Sequence, residues 1–298
     1  MDEKVCAVIV TYNRKELLRE CLRAVLSQTR PPDHVLVVDN ASTDGTPEML
    51  REEFPQVEVL RLPENQGGAG GFHEGMKRAY EAGFEWLWVM DDDAIPRKTC
   101  LEKLLISAKE SKFKVIGPLV VDVKNPADLA FPLMVGRRML LKVSEVQPSC
   151  INGYINLWNG AVLHKSVIDK VGLPNKELFV RGEEVDYHFR LKRSGVRFAT
   201  VKECEVLHPG SSNEQKPLLG RRLVVVSTGN RIKDFYFYRN RGYLLRTYYR
   251  GVSFGLYVLL EFLRYSYFFL VIRRNVDDWK AWRRAFLLGL KGELKRHE

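Results

Sequence analysis

The sequence lacks the features that mark several large classes of protein. Its five cysteines, Cys6, Cys21, Cys100, Cys150 and Cys204, are odd in number and include no C-x-x-C pair. This pattern argues against a disulfide framework or a zinc knuckle and favours a reducing compartment. The first residues, MDEKVCAVIV, open with acids and carry only a short apolar run. We therefore expect no secretory signal peptide at this end.

Long apolar runs are also scarce. The two longest uncharged stretches near the C-terminus, 251–260 and 265–272, contain ten and eight residues and are separated by Glu261 and Arg264. A membrane-spanning helix usually needs about 20 consecutive apolar residues. A spanning helix is therefore not favoured here, although the sequence leaves it open. There is no internal repeat and no low-complexity segment.

Acidic residues are few in the C-terminal part of the chain. The net charge is +10. Residues 217–298 contain 17 Lys and Arg against 6 Asp and Glu, a balance of +11, whereas residues 1–216 contain 30 against 31, a balance of −1. All of the excess positive charge thus belongs to the tail, which also holds 17 of the 32 aromatic residues. The two parts are expected to meet different partners.

What is present is an alternation of apolar strands with helical segments. The strand-like runs are VCAVIV, HVLVVD, VEVLRL and WLWVM, and between them lie helix-period segments such as RKELLRECLRAVLSQ, a segment opened by Pro47, and GMKRAYEAGF up to Gly83. Such alternation predicts an α/β fold with a doubly wound, mostly parallel sheet. Further on, the sequence predicts that LFVRGEEVDYHFRLKRSG begins as a strand and continues as a helix. The segment after Pro217 is predicted to be largely helical.

Polar residues follow the carboxyl ends of three predicted strands, at 11–14, 39–44 and 91–93. In an open α/β sheet these ends meet at one crevice, where ligands bind. Three adjacent aspartates repel one another, and a divalent cation such as Mg²⁺ or Mn²⁺ that bridges diphosphate oxygens would remove this repulsion. A solvated acidic turn is the alternative. From an extended backbone we expect Asp92 to point away from Asp91 and Asp93.

Seven segments together resemble a known enzyme family. VIVTYNR, VVDNASTDGT, ENQGGAGGFHEG and WVMDDDAIP resemble the nucleotide-sugar half of the inverting family 2 glycosyltransferases, which have the GT-A fold. WNGAVLHKSVIDKVGLP, FVRGEEVDYHFRLKRSG and EVLHPGSS resemble the acceptor half. The resemblance covers about residues 4–213 and is strongest to the galactofuranosyl- and rhamnosyltransferases. GGAGGF and the triple Asp favour the galactofuranosyl side.

The resemblance implies a set of donor-binding residues. These residues would line the nucleoside pocket, let the backbone come close to the donor, or contact the ribose. They are Thr11, Tyr12, Asp39, Asn40, Asn65, Gly67, Gly68, Asp91 and Asp92. Asn40 stands where many members have a second acid, so this chain departs from the family pattern at the contact with the base. Asp39 could also begin an Asx turn. For Gly70 and Gly71 a tight turn is the better explanation.

The resemblance also implies the metal ligands and the catalytic base. Asp91, Asp93 and His208 would hold Mn²⁺ or Mg²⁺, with a contact to the diphosphate as the alternative for His208. Glu184 would be the general base that takes the proton of the acceptor hydroxyl. The family usually has Asp there, and the longer Glu side chain is a departure. The alternative is that acids in the first turn of a helix favour its dipole.

Two residues are assigned to the acceptor. Glu183 would orient acceptor hydroxyl groups, and Trp158 would stack on a sugar face or pack in the core. The acceptor would be a glycan or a polyprenyl-linked glycolipid, and the donor a UDP- or dTDP-sugar. The expected activity is a metal-dependent inverting hexosyl transfer in the synthesis of cell-surface polysaccharide.

The predicted division is a GT-A domain, 1–216, and a helical membrane-associating region, 217–298. Alternating cations and aromatics suit a helix lying on an anionic membrane. A cytoplasmic protein peripheral to the inner face of the cell membrane is therefore expected. A helical subdomain that packs on the sheet or on another subunit, which would make a homo-oligomer, is the alternative. The same residues could fit single-stranded nucleic acid, but we expect no nucleic-acid partner.

Two other classes of function would each explain part of the sequence. A nucleotidyltransferase would share the α/β plan and the acids, but it should open with a Gly-rich loop and a Lys, which VIVTYNRKE does not supply. A non-catalytic membrane- or polyanion-binding protein would explain the tail. It would not explain the combination of the three aspartates with Glu184 and His208.

Overall fold

The computed structural model describes residues 3–135, 138–147, 149–210, 214–218, 223–294 and 296. Its internal contacts divide the chain into two compact units. The first comprises Met1–Lys176 and Tyr187–Gly210, and the second comprises Glu177–Asp186 and Ser211–Glu298. The domain boundary expected at residue 216 stays a prediction. Ser211 and Ser212 of the EVLHPGSS motif lie outside the described residues.

The first unit is built on a mixed β-sheet. Its strands are β1 Val5–Thr11, β2 His34–Asp39, β3 Glu58–Arg61, β4 Trp86–Asp91, β5 Ile95–Pro96, β6 Val115–Asp122, β7 Asp128–Val135, β8 Arg138–Lys142, β9 Cys150–Asn152, β10 Asn159–His164 and β11 Phe198–His208. The main path runs β3-β2-β1-β4-β10-β6-β11-β5. β3, β2, β1 and β4 are parallel, whereas β10 is antiparallel to both β4 and β6. The predicted α/β sheet is confirmed.

Helices cover the sheet of the first unit. They are α1 Lys15–Leu26, α2 Thr46–Glu53, α3 Gly67–Glu81, α4 Cys100–Ser111, α5 Lys165–Val171 and α6 Glu183–Arg193, the first turn of which is grouped with the second unit. Alternate side chains of β1 enter two different cores, because Ala7 and Ile9 pack on one face and Val8 and Val10 on the other. Burial on both faces explains why this strand reads as a continuous apolar run.

Two local predictions are wrong. The residues before Glu183 form a 3₁₀ turn, Lys176–Leu178, and a bent loop rather than a strand. Gly70 and Gly71 lie inside α3 rather than in a tight turn. A Cβ at Gly71 would lie 2.4 Å from Cγ1 of Val10, so the glycine is needed because helix and strand approach closely.

The second unit is mainly helical, as predicted. It contains the hairpin β12 Gln215–Leu218 and β13 Leu223–Val226, followed by α7 Arg231–Tyr248, α8 Gly251–Ser266, a π-helical segment Tyr267–Ile272 and α9 Val276–Lys291. Its core is aromatic: Tyr265, Trp282 and Phe286 are stacked, with neighbouring ring centroids 5.2 and 5.5 Å apart. The clustered aromatic residues therefore supply much of the core of this unit.

One helical stretch in the described part of the chain, Gly251–Ile272, is long and apolar enough to cross a membrane. It has 22 residues and a mean hydropathy of 1.5, and 22% of the apolar stretch is buried. The short uncharged runs thus join into one continuous helical stretch. Length and composition alone do not separate a span from a helix lying on a surface.

Candidate active site

The carboxyl ends of β1, β2 and β4 lie side by side. Thr11 pairs with Asp39 in the register of β1 and β2, and Val10 pairs with Asp91 in the register of β1 and β4. Parallel pairing brings these ends to one edge of the sheet, where α/β folds bind ligands. The predicted convergence of the three polar segments is confirmed.

The loops that follow β1 and β2 fasten each other. The side-chain oxygen of Asn13 accepts the backbone N–H of Thr43 at 2.7 Å, and Asp44 accepts that of Lys15 at 3.0 Å. Tyr12, the residue before Asn13, is 43% exposed. An exposed aromatic ring beside two braced loops can stack on a planar group, as a nucleoside contact requires.

Asp39 is fully buried and only partly satisfied. Its Oδ1 accepts the backbone N–H of Ser42 at 2.8 Å, which is the turn-forming role that the sequence allowed. Its Oδ2 has no hydrogen bond in the described part of the chain, and the nearest cation is Nη1 of Arg61 at 3.8 Å. Asp39 and Arg61 also line a groove of about 490 Å³ beside α2. A buried acceptor left without a donor is unusual and can receive one from a ligand.

Asn40 and Asn65 shape the entry to α3. Oδ1 of Asn40 accepts the N–H of Gln66 at 3.2 Å, and its Nδ2 donates to the carbonyl of Gly67 at 3.3 Å. Oδ1 of Asn65 accepts the N–H of Gly67 at 2.8 Å. Gly67 has a φ of 69°, and Gly68 follows it in the first turn of the helix. Both ends of the Asn40 amide thus bind protein backbone, and donor contact by Asn40 stays a prediction.

The aspartate run does not continue as an extended strand. β4 ends at Asp91, and the chain then turns. Nη1 of Arg14 consequently contacts both Asp92, at 3.2 Å, and Asp93, at 2.7 Å. The expected alternation of their side chains was wrong for this reason. Oδ2 of Asp92 also accepts the hydroxyl of Thr11 at 2.7 Å.

The two acids have opposite pKa shifts. Burial raises the pKa of Asp92 to about 6, although Arg14 and the hydroxyl of Thr11 act against it. Burial also acts to raise the pKa of Asp93, but His208 and Arg14 outweigh it and lower that pKa below its ordinary value. Asp93 is thus kept as an anion, as a metal or cationic ligand requires.

His208, at the end of β11, faces the aspartates. Its Nε2 lies 3.0 Å from Oδ1 of Asp93, and its Nδ1 lies 2.8 Å from the carbonyl of Pro209. If Nδ1 carries the proton donated to Pro209, Nε2 and Oδ1 are two acceptors in contact. An imidazole nitrogen and a carboxylate oxygen in this arrangement can share a cation. The donor set of Asp93 and His208 therefore fits a divalent metal.

Asp91 is less well placed as a third ligand. Within the residues that the structure describes, no three His, Cys, Asp or Glu side chains are arranged to hold a metal ion. Asp91 lies at the end of β4, where its backbone N–H donates to the carbonyl of Trp158 at 2.8 Å. The three-residue ligand set therefore stays a prediction.

Sequence reasoning missed two cations at this edge of the sheet. Arg14 binds Asp92 and Asp93, and Arg61 lies near Asp39 and donates to the carbonyl of Ser42 at 3.0 Å. Arg14 follows the first predicted strand and Arg61 lies near the end of the third, so their position at strand ends was the available signal.

Trp158 is in the core of the first unit. It is 3% exposed, and its ring lies 4.3 Å from that of Phe72 and 5.8 Å from that of Tyr187, between centroids. Phe72 is stacked parallel to the indole within 16°. This is the packing alternative that the sequence left open. Because the indole is enclosed, we do not assign it to a sugar face.

Glu183 and Glu184 begin α6 and are described within the second unit. Glu183 is 5% exposed, whereas Glu184 keeps an exposed surface. Burial and the neighbouring charge of Glu184 raise the pKa of Glu183 to about 8. Surrounding protein also raises the pKa of Glu184, and Arg181 opposes this. Since water reaches Glu184, it ionises first and leaves Glu183 protonated near neutral pH.

Comparison with known proteins identifies the family. The family model described as glycosyl transferase family 2 matches residues 6–172. The chain belongs to glycosyl transferase family 2. It is therefore an enzyme of the glycosyltransferase class, and both the nucleotidyltransferase and the non-catalytic alternatives are set aside.

Two curated relatives extend over most of the chain. The sequence is 40% identical to galactofuranosyltransferase GlfT1 of Mycolicibacterium smegmatis over 304 aligned residues, covering 99% of each protein. It is 25% identical to the dTDP-rhamnosyl transferase RfbF of Shigella flexneri, covering 83% of this chain and 81% of that protein. Likeness to galactofuranosyl- and rhamnosyltransferases is thus confirmed, and the first extends through the C-terminal region.

A solved structure supports the fold. TarS 1–349 of S. aureus, in complex with UDP-GlcNAc, matches with a TM-score of 0.59 and 15% identity, covering 98% of this chain and 82% of that one. At this identity the match shows the fold alone. It agrees with the GT-A-type architecture that the sequence predicted.

Proposed function

We propose that the protein transfers galactofuranose, with inversion, from UDP-galactofuranose to a glycan or polyprenyl-linked glycolipid in the synthesis of cell-surface polysaccharide. The whole-length similarity to GlfT1 of M. smegmatis, at 40% identity, supports this donor. A dTDP-rhamnose donor is the alternative, since RfbF of S. flexneri is also similar, at 25% identity. The GGAGGF segment and the triple Asp favour galactofuranose.

One observation carries the proposal: Arg14 contacts both Asp92 and Asp93, and His208 contacts Asp93, next to the end of β1. Because nucleotides bind at the carboxyl ends of the strands in α/β folds, this cluster of anions with a histidine supports a donor diphosphate site here. Oδ2 of Asp39, which has no hydrogen-bond partner among the described residues, would accept a hydrogen bond from the nucleoside. Thr11, Tyr12, Asn40, Asn65, Gly67 and Gly68 complete the proposed donor site.

The proposed metal is Mn²⁺ or Mg²⁺, held by Asp93 and His208 with Asp91. When bound, such an ion neutralises the charge of the departing diphosphate. The contact of Asp93 with His208 supports this assignment, because it brings a carboxylate oxygen within 3.0 Å of an imidazole nitrogen. Arg14 also contacts Asp93, at 2.7 Å, and would hold this carboxylate when the ion is absent.

Glu184 is the proposed general base. An exposed carboxylate that ionises before its buried neighbour can accept the proton of an acceptor hydroxyl. Glu183, protonated near neutral pH, can donate a hydrogen bond to another acceptor oxygen. When their surroundings give two neighbouring carboxyl groups different pKa values, one group can act as the acid and the other as the base.

The first experiment is calorimetric titration with UDP and with dTDP, each with and without Mn²⁺. We expect metal-dependent binding of UDP, weakened at least tenfold in Asp93→Asn and preserved in Glu184→Gln. Preference for dTDP would favour rhamnose, and binding of neither nucleotide would overturn the proposed donor site.

Turnover tests the base separately. Glu184→Gln should abolish transfer from UDP-galactofuranose while UDP still binds. Replacing Glu20, which is exposed on α1, with Gln is the matched control and should leave turnover unchanged. Near-normal turnover of Glu184→Gln would remove Glu184 as the base.

We also propose that the second unit binds an anionic membrane, which would place the enzyme on the cytoplasmic face. Four apolar residues recur on α8 with helical spacing and are 53–90% exposed: Val252, Leu256, Leu259 and Leu263. This spacing puts them on one face. Arg250, Arg273 and Arg274 flank the helical stretch and are exposed. An exposed apolar face bordered by cations is typical of a helix lying in an anionic interface.

Flotation with vesicles containing anionic lipid tests this assignment. Changing Val252, Leu256 and Leu263 to Ser should release the protein from the vesicles. The matched control changes Ile106, Met139 and Leu141, which are 49–55% exposed in the first unit, to Ser. Equal binding of both triple variants would contradict the proposal.

A further inference from the structure

The loop that precedes Glu183 has an unusual backbone. Phe179, Arg181 and Gly182 have φ values of 64°, 67° and 110°. L-residues other than glycine rarely occupy this region, because Cβ then approaches the backbone. Such a conformation persists only where the surroundings determine it strongly. Within the second unit, two side chains of α7 provide these surroundings.

Asn240 is 1% exposed and binds three carbonyl groups of this loop. Its Nδ2 lies 2.9 Å from the carbonyl oxygen of Leu178, 3.0 Å from that of Val180 and 2.6 Å from that of Arg181, so its two N–H bonds are shared among three acceptors. The carbonyl of Leu178 also accepts the backbone N–H of Val180 at 2.8 Å. One buried amide thus helps to fix the direction of three peptide groups of the loop.

Arg239, the preceding residue, completes the clamp. It is fully buried, and its Nη2 donates to the carbonyls of Glu177 and Leu178, both at 2.9 Å. Its Nε donates to Oδ1 of Asn240 at 2.9 Å. Because a guanidinium can only donate, this contact determines which end of the Asn240 amide is oxygen and turns the NH₂ group toward the loop.

The charge of Arg239 is retained in this environment. Burial lowers its pKa to about 10, and the ring of Tyr236, 4.7 Å from the guanidinium carbon, faces the cation. Arg239 is therefore protonated at neutral pH, and the aromatic face and carbonyl dipoles replace its lost hydration. A buried cation that ends on two loop carbonyls favours one loop conformation over others.

The clamped loop leads directly into the proposed base. The carbonyl of Gly182 accepts the N–H of Asp186 at 2.8 Å and so opens α6. The hydroxyl of Tyr248, also on α7, donates to Oδ1 of Asp186 at 2.7 Å. Glu183 and Glu184 are the first two residues of α6, between the clamp and this anchor. Their backbone position is consequently set from α7.

We propose that Arg239 and Asn240 are positioning residues for the Glu183–Glu184 pair. They fix the loop 177–182 in a conformation that the sequence would not adopt unaided, and thereby place the carboxylate of Glu184 for proton transfer. This rests on the proposed role of Glu184. The C-terminal region is then part of the catalytic apparatus as well as a surface for membrane.

The kinetic test uses Asn240→Leu, which keeps the approximate size of the side chain and removes its donors, in the full-length protein. We expect kcat to fall about 100-fold, as misplacement of a reacting group by about 1 Å can cause. The dissociation constant of UDP should stay within twofold of wild type. Arg239→Lys, which keeps the charge but loses the planar fork, should show an intermediate loss of kcat.

Leu245→Ala is the matched control. Leu245 is fully buried on the same helix and packs in the aromatic core of the second unit. This variant should lower the melting temperature at least as much as Asn240→Leu while keeping kcat near wild type. Equal losses of kcat in the two variants would mean that general instability of α7 is responsible, and would overturn the positioning role.

Hydrogen exchange supplies a readout that does not depend on activity. Amide exchange in residues 177–186 should accelerate in Asn240→Leu and stay near wild type in Leu245→Ala. Unchanged exchange of this segment in Asn240→Leu would refute the clamp, whatever the rates. If Glu184→Gln keeps its turnover while the clamp variants accelerate exchange, the base assignment fails and the clamp itself stands.

Discussion

At the scale of single residues, two of the three adjacent aspartates are stabilised by their neighbours in the protein. Arg14 contacts both Asp92 and Asp93, and His208 approaches Asp93. Burial raises the pKa of Asp92 to about 6, so part of the repulsion is relieved by proton uptake as pH falls toward that value. The aspartate run can therefore fold without a bound metal, because Arg14 and His208 already supply contacts to its carboxylates.

Thr11 should contribute to stability through Asp92. Its hydroxyl donates at 2.7 Å to a carboxylate that is 3% exposed. Thr11→Val keeps the shape and removes the donor, which leaves a buried acceptor short of a partner. We expect the free energy of unfolding to fall by about 1–3 kcal/mol in urea titrations. Thr11→Ser keeps the hydroxyl and should retain most of this contribution; equal losses in both variants would contradict it.

Glu183 should make the stability pH-dependent. Its pKa is about 8 in the folded state against an ordinary value of 4.5, so the folded protein holds a proton that the unfolded chain has released. Wild-type stability is therefore lost as pH rises from about 4.5 through 8. Glu183→Gln removes this titration and should gain stability relative to wild type between pH 5 and pH 9.

Urea unfolding of both proteins at pH 5, 7 and 9 checks this sign. The difference in the free energy of unfolding should grow steadily toward Glu183→Gln as pH increases. A constant difference across the three pH values would show that Glu183 does not titrate between them.

At the scale of elements, α7 and α9 pack through glycines. A Cβ at Gly289 would lie 1.8 Å from the carbonyl oxygen of Arg239, and one at Gly242 would lie 2.3 Å from that of Phe286. The backbones of the two helices therefore approach more closely than larger residues allow. This contact also fixes the part of α7 that carries Arg239 and Asn240.

Gly289→Ala should separate the two helices. The overlap is with backbone, which cannot rotate away, so we expect a loss of about 1–3 kcal/mol or more in the free energy of unfolding. Gly255→Ala on α8 is the control, because no atom lies within 4 Å of the added Cβ. In this variant the higher helix propensity of Ala should raise the free energy of unfolding by about 0.5–1 kcal/mol. Thermal denaturation of both variants distinguishes a close contact from a general effect of alanine.

At the scale of the whole molecule, the charge is divided unevenly along the chain. Residues 217–298 carry +11 and residues 1–216 carry −1. Each Lys or Arg near an anionic membrane adds on the order of 1 kcal/mol to binding, and salt shortens the reach of this attraction from about 10 Å at 0.1 M to about 3 Å at 1 M. Electrostatic attraction should therefore assist the apolar face of α8.

Binding to anionic vesicles should fall steeply with ionic strength. We expect most of the protein to float with the vesicles at 0.05 M salt and a clear decrease at 0.5 M salt, while neutral vesicles bind little at either. Binding that is equally strong to neutral vesicles at high salt would indicate that the apolar face alone suffices.

The strands and most helices could be predicted from local pattern. Buried parallel strands such as β1 and β4 are continuous apolar runs, and Pro47 lies in the first turn of α2, as expected for a residue that suits a helix start. The conformation of the loop 177–182 could not be predicted in this way, because it depends on hydrogen-bond donors from α7, about 60 residues away in sequence. Gly71 was misassigned for the same kind of reason, since its neighbour Val10 lies on another element.

The candidate site was predicted in part. The strand-end positions of Thr11, Asp39 and Asp91 follow from the alternation of strands and helices, because parallel strands end at one edge. Arg14 and Arg61 could not be assigned to their acids, since a pairing of side chains depends on how the chain turns after each strand. The enclosure of Trp158 likewise depends on Phe72 and Tyr187, which are distant in sequence.

The sequence by itself determined the α/β architecture, the convergence of polar strand ends and the segregation of charge, because apolar periodicity and composition act locally and over long stretches. Only the tertiary structure decided which groups meet: Arg14 with two aspartates, His208 with Asp93, and Arg239 and Asn240 with the loop before Glu183. Contacts of this kind join residues far apart in the chain. Their energy depends on distance and burial, which no local pattern specifies.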